Sequence, residues 1–114
     1  MAIASVQQDD VTIVTIMHDL DASTAAETSA YLSAEIDAGH ARLVIDLSGV
    51  AYLSSAGLRV ILVALRSARS SGGDVRLAGA AGDIRRVLDM SGVAKLAKTF
   101  PSAEEAAASY QPGG

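Results

Sequence analysis

Hydrophobic positions along the chain change period several times, and each change marks the edge of an element. Val11 to Met17 (VTIVTIM) is continuous and β-branched, the pattern of a buried strand. Ala4 to Gln8 ahead of it predicts a partner strand, joined as a hairpin through Asp9-Asp10. Asp21, Ser23 and Thr24 are residue types that cap helices, and Thr24-Ala25-Ala26-Glu27 fits a capping box. Ala25, Ser29, Leu32 and Ile36 then mark the inner face of a first helix, which Gly39 stops. Ala41 to Leu47 (ARLVIDL) reads as another buried strand, polar only at its ends and at Asp46. Leu58, Ile61, Leu62 and Leu65 share one face of a second helix that ends at Ser71-Gly72-Gly73. Asp74 to Ala78 predicts the next strand. Asp83 to Met90 predicts a short helix closed at Ser91-Gly92, where glycine supplies a left-handed cap. Thr99-Phe100 reads as a last short strand, and Pro101-Ser102 opens an alanine-rich helix.

This order of strands and helices makes an α/β sheet layered against helices. With parallel crossovers, the loops after Met17 and after Leu47 share one end of the sheet. Ligand and partner sites gather at that end in open α/β sheets. His18, Asp19, Asp21, Asp46, Ser54 and Ser55 are therefore expected as neighbours. Neither a repeat nor a linker interrupts the pattern, so residues 1–110 are expected to form one domain, with 111–114 as a flexible tail.

Composition narrows the chemistry. Half of the residues are hydrophobic, but only 4% are aromatic and none is tryptophan, so the core must be built from Val, Leu, Ile and Ala. The absence of cysteine excludes disulfides, thiol chemistry and thiolate metal sites, and suits a reducing compartment. The start, MAIASVQQDD, has no basic n-region and no long apolar stretch, so no secretory signal is expected. No run of about eighteen apolar residues occurs, so no transmembrane helix and no membrane association are expected either, which leaves the cytoplasm. Nine basic residues against thirteen acidic ones argue against generic nucleic-acid binding. Arg59, Arg66 and Arg69 form the best basic stripe and read as a solvated helix face.

A nucleophilic serine needs a base, usually a histidine oriented by a carboxylate. His18 is the candidate at the correct end of the sheet, because His40 precedes a strand at the opposite end. The serine pair also lacks the preceding glycine of a G-x-S-x-G elbow, so a small Ser-His hydrolase is a weak reading. Asp9 with Asp10, or Asp19 with Asp21, could hold a hard cation but lack further ligands at fixed spacing, so no metal is expected. Phosphate-cradling glycine loops of the nucleotide-binding kinds are absent, so no cofactor is expected.

Ser54 and Ser55 are one hydroxyl more than a helix cap requires. A helix start carries roughly half a positive charge and free N–H groups, so it accommodates an added phosphate. Phosphorylation would add about −1.5 to −2 charges beside Asp46, Asp19 and Asp21. A partner docked on that surface would then meet repulsion, which is a workable switch.

The segments LVIDLSGVAYLSSAGLRVIL, GGDVRLAGAAGDIRRVLDMSGV and HDLDAST together resemble the bacterial STAS domain of anti-sigma-factor antagonists. The likeness runs in order over residues 4–109, and the segment around Asp46 to Leu62 is its most specific part. It implies a STAS fold: a mixed sheet of four to five strands, with about four helices packed mainly on one side. It implies a non-enzyme that binds an anti-sigma factor which is also a serine protein kinase. That kinase would phosphorylate a residue at the start of the second helix and release the antagonist, and a PP2C-type phosphatase would reset it. The resemblance also fits a non-switching STAS scaffold or a transporter-associated subunit.

The commoner family motif carries its acceptor directly before the glycine that aligns with Gly57. Ala56 occupies that place, so Ser55 is the nearest hydroxyl and the expected target, with Ser54 second choice and the cap. Asp21 matches an aspartate the family keeps near the site. Asp19 stands at a glutamate position, and His18 replaces a glycine. The expected partner surface comprises His18, Asp19, Asp21, Asp46, Ser54, Ser55, Ala56, Gly57 and Arg59, on a monomer or weak dimer.

Overall fold

A computed structural model of the chain describes residues 2–111. Asp9 adopts φ 58°, the left-handed conformation a tight hairpin needs, and joins β1 (Ile3–Gln8) to β2 (Val11–Ile16). The two strands pair antiparallel from Ile3 opposite Ile16 to Gln8 opposite Val11. Every later pairing is parallel: β2 with β3 (Arg42–Asp46), β3 with β4 (Asp74–Ala78), and β4 with β5 (Thr99–Phe100). The result is one mixed five-stranded sheet in chain order.

Parallel neighbours require crossovers. Helix α1 (Ala25–Asp37) links β2 to β3, and α2 (Ser55–Ser70) links β3 to β4. Helices α3 (Gly82–Ser91) and α4 (Val93–Leu96) lead to β5, and α5 (Ala103–Ala108) closes the described chain. Gly92 ends α3 at φ 86°, as its position predicts. The single turn of α4 behind it is an addition to the predicted elements.

Side chains alternate across the strands, so each strand serves two layers. Val14, Ile16, Leu43, Ile45, Val75 and Leu77 turn to one face. Leu32 and Ile36 of α1, Ile61 and Leu65 of α2, and Ile84 and Leu88 of α3 close over them. Val11, Val44 and Ala78 turn the other way and meet Ala106 and Ala107 of α5. Four helices thus share one side, and the fifth lies opposite. The buried apolar residues are Ile, Val, Leu and Ala throughout, as the composition requires.

Two local expectations are corrected. The capping box at Thr24 does not form: its hydroxyl donates to the Asp19 carbonyl (2.7 Å) and makes no cap bond to α1. The buried polar residue of α1 is Thr28, whose hydroxyl returns to the Thr24 carbonyl at 2.9 Å, while Ser29 is only half-buried. The buried face of α2 is also rotated from the predicted leucine stripe. Val60, Ile61, Ala64, Leu65 and Ala68 are buried, with Leu58 and Leu62 at its edge. Small alanines let the helix approach the sheet closely.

Tyr110 fastens the end of α5. Its hydroxyl lies 2.8 Å from the carbonyls of Leu43 and of Asp74, to one of which it donates at a time. The Arg76 guanidinium sits 3.9 Å from the ring centroid and donates to Ser109 (2.6 Å) and Asp74 (3.3 Å). Burial, then the charge of Asp74, pushes the phenol well above its ordinary range. Tyr110→Phe keeps the ring and removes the hydrogen bond by which the hydroxyl ties α5 to β3 and β4. It is expected to lower the unfolding free energy by about 1–2 kcal/mol in a urea titration. The predicted tail falls outside the described residues, apart from an exposed Gln111.

Candidate functional site

Two loops leave the carboxyl ends of adjacent parallel strands, one after β2 and one after β3, and they are stitched together. Leu20 and Leu53 form an isolated parallel bridge between them. The Leu20 N–H donates to the Tyr52 carbonyl (2.9 Å), and the Ser54 N–H donates to the Leu20 carbonyl (2.9 Å). Both leucine side chains are buried, which anchors the loops to the core. Gly57 makes the closeness possible. A Cβ there would lie 2.5 Å from the Leu20 carbonyl oxygen and 2.7 Å from Leu53 Cδ1.

The paired serines do different work. Ser54 is the N-cap of α2, with extended backbone (φ −94°, ψ 177°). Its half-buried hydroxyl accepts from the Gly57 N–H and donates to the Leu20 carbonyl, each at 3.4 Å. Ser55 is the first residue of α2 and is exposed, and its hydroxyl makes no hydrogen bond among the described residues. Ala56 is half-buried beside it. Ser55, Ala56 and Arg59 line a groove between α1 and α2, with Ala25, Ala26 and Val63.

The loop after β2 is folded on itself. Asp21 Oδ1 accepts from the Ser23 hydroxyl (2.6 Å) and the Ser23 N–H (2.9 Å), which holds its carboxyl below the usual range. Thr24 Oγ1 accepts from the Asp21 N–H (3.1 Å) while donating to the Asp19 carbonyl. His18 Nδ1 lies 2.8 Å from the Asp19 carbonyl, which assigns the proton to Nδ1. Its Nε2 is buried and has no hydrogen-bond partner among the described residues. Neither serine is bonded to His18, so a nucleophile–base pair is not assembled here.

His18, Asp19, Asp21, Ser54, Ser55, Ala56 and Gly57 therefore belong to two joined loops and one helix start. Asp46 does not join them. Ile45 faces the α1–α2 layer and Val44 faces α5, so Asp46, the next residue, turns toward the α5 side. It accepts from the Ser48 N–H (3.0 Å), and a Cβ on Gly79 would lie 2.9 Å from its Oδ1. Reading it from the strand end alone misses this parity.

Met17, expected as the end of a buried strand, lies beyond β2 and is more than half exposed, as is Tyr52 in the adjoining loop, which was not singled out from the sequence. The signal of Tyr52 was present: a large side chain in a segment that otherwise reads as a polar turn. No group of three or more metal-binding side chains occurs among the described residues, and no helix there is long and apolar enough to cross a membrane.

Comparison with known proteins follows this geometry. The family described as STAS domain matches residues 2–106. BtrV of Bordetella bronchiseptica, named as an anti-sigma factor antagonist, is 32% identical over 103 residues, covering 90% of this chain and 89% of that protein. A Thermotoga maritima crystal structure bearing the same kind of name superposes with a TM-score of 0.89 at 26% identity, over 94% of this chain and 92% of that one. The phosphorylated form of SpoIIAA from Bacillus shares the fold at 18% identity, with a TM-score of 0.73 over 96% of this chain and 100% of that one.

Proposed function

The chain belongs to the STAS domain family, and from that premise we propose that it is an anti-sigma-factor antagonist controlled at Ser55. Unphosphorylated, it binds an anti-sigma factor that is also a serine protein kinase and keeps that factor from its sigma factor. The kinase transfers the γ-phosphoryl group of ATP to Ser55 Oγ. The bond to ADP breaks as the O–P bond forms, and the hydroxyl proton passes to the kinase. The phosphorylated protein is released, and a PP2C-type phosphatase removes the phosphate. The antagonist catalyses nothing itself. We assign the STAS domain to residues 1–110, acting in the cytoplasm as a monomer or weak dimer.

The observation that carries this reading is the division of labour between the serines. Ser54 spends its hydroxyl on the cap, whereas Ser55 presents one without a partner among the described residues at an exposed helix start. Phosphate placed there meets the positive end of α2, so modification costs little local strain. It also adds about −1.5 to −2 charges to loops that already carry Asp19 and Asp21. Names borne by the relatives supply the anti-sigma factor as partner, and the SpoIIAA structure places a phosphorylated protein in the same fold.

Ala56 favours a second reading, a non-switching STAS scaffold or transporter-associated subunit, because it stands where the commoner motif carries its acceptor. Incubation with the cognate kinase and ATP, followed by peptide mass spectrometry, separates the two. One phosphate on Ser55, absent from Ser55→Ala, is expected. Phosphate on Ser54 would move the acceptor by one residue, and none on either serine would leave the scaffold reading.

A further inference from the structure

The cations of α2 are not equally occupied. Arg69 donates to Asp74 (3.0 Å) and to the Leu96 carbonyl (2.7 Å). Arg59 has no ion pair among the described residues, although it is exposed in the groove that Ser55 also lines. Residues four apart on a helix are surface neighbours, with Cβ atoms about 5–6 Å apart. An anion four residues before a cation is also the favourable order along the helix. The rest of the groove lining is small or β-branched: Ala25, Ala26, Ser29, Ala56, Val60 and Val63. No carboxylate among the described residues lines the groove to compete for the guanidinium.

We infer that Arg59 is a positioning residue that clamps the phosphate carried by Ser55. The inference rests on the Ser55 reading and deepens it. A guanidinium matches two phosphate oxygens in a paired geometry that an ammonium cannot reproduce. Phosphorylation then changes the docking surface twice, by adding an anion and by withdrawing a free cation. A partner that met Arg59 in the unphosphorylated state loses that contact at the moment it meets the new charge.

The test installs phosphoserine at position 55 during translation, so it does not depend on which serine a kinase selects. The phosphate is titrated by phosphorus NMR in the otherwise unaltered protein, in Arg59→Ala and in Arg59→Lys. The unaltered protein is expected to ionise at the lowest pH, Arg59→Lys between, and Arg59→Ala highest. The Arg59 Nε–H resonance should shift on phosphorylation. Glu27 on α1, with Asp19 and Asp21 in the loop, acts in the opposite sense but equally in all three proteins, and His18 is likewise common to them. Identical titrations together with an unmoved Arg59 resonance would overturn the clamp. Failure of a kinase to modify Ser55 would instead sink the functional reading and leave this result standing.

Discussion

Gly57→Ala is expected to lower the thermal midpoint by roughly 10 °C, a loss of about 3 kcal/mol for a domain of this size. Helix propensity alone predicts the reverse, because alanine is favoured over glycine inside a helix by about 1 kcal/mol. Close approach decides the sign. The added Cβ would sit 2.5 Å from the Leu20 carbonyl oxygen, 2.7 Å from Leu53 Cδ1 and 2.9 Å from Leu20 Cβ. Leu20 and Leu53 are 0% and 4% exposed, so neither side chain can yield toward solvent. The obstructing carbonyl is also the acceptor for the Ser54 N–H and hydroxyl. Pushing it away costs about 1–3 kcal/mol of overpacking and weakens a helix cap that contributes about 1 kcal/mol.

Gly72→Ala is the matched control. Gly72 has φ 82° but nothing within 4 Å of its missing Cβ, so only backbone strain of about 1–2 kcal/mol is expected. Circular-dichroism melts of the two variants compare steric obstruction with strain alone. A Gly57→Ala protein that melts with the wild type would show that the two loops are not packed as described.

Gly57 also shows how far the sequence could be read. Its place in the LSSAGL stretch sets the register of the serine motif, but the carbonyl that forbids a side chain comes from another loop. The central strands were legible as short continuous apolar runs that bury both faces, the longer helices because each buries one periodic face, and parallel crossovers brought the two loops together without any contact being known. Facts that depend on a neighbour were harder to reach. Thr24 has the spacing of a capping residue, yet its Oγ1 accepts from the Asp21 N–H and donates to the Asp19 carbonyl instead. Asp46 lies at the right end of its strand but on the wrong face, a distinction of one residue in parity. Val93–Leu96 is a single turn, too short to display any period.

If the proposed switch operates, Ser55→Asp is expected to weaken binding to the anti-sigma kinase at least tenfold, and Ser55→Ala to bind like the wild type while resisting release by ATP. Tenfold is about 1.4 kcal/mol, a modest demand on a carboxylate desolvated without a partner at an interface. Neither substitution should disturb the fold, since Ser55 is exposed and its hydroxyl makes no hydrogen bond among the described residues. An aspartate at the first turn of α2 even suits the helix dipole, so the Asp variant should melt no lower than the wild type. Lost affinity in a protein of undiminished stability can then be assigned to the docking surface. Ser54→Ala provides the opposite signature. Removing the cap should cost about 1 kcal/mol of stability and leave the charge of the surface unchanged. Isothermal titration calorimetry against the kinase, paired with melts of all three variants, separates charge at the interface from integrity of the helix start. Equal affinity for Ser55→Asp and Ser55→Ala would remove Ser55 as the control point, because the two differ chiefly in the charge that the switch requires.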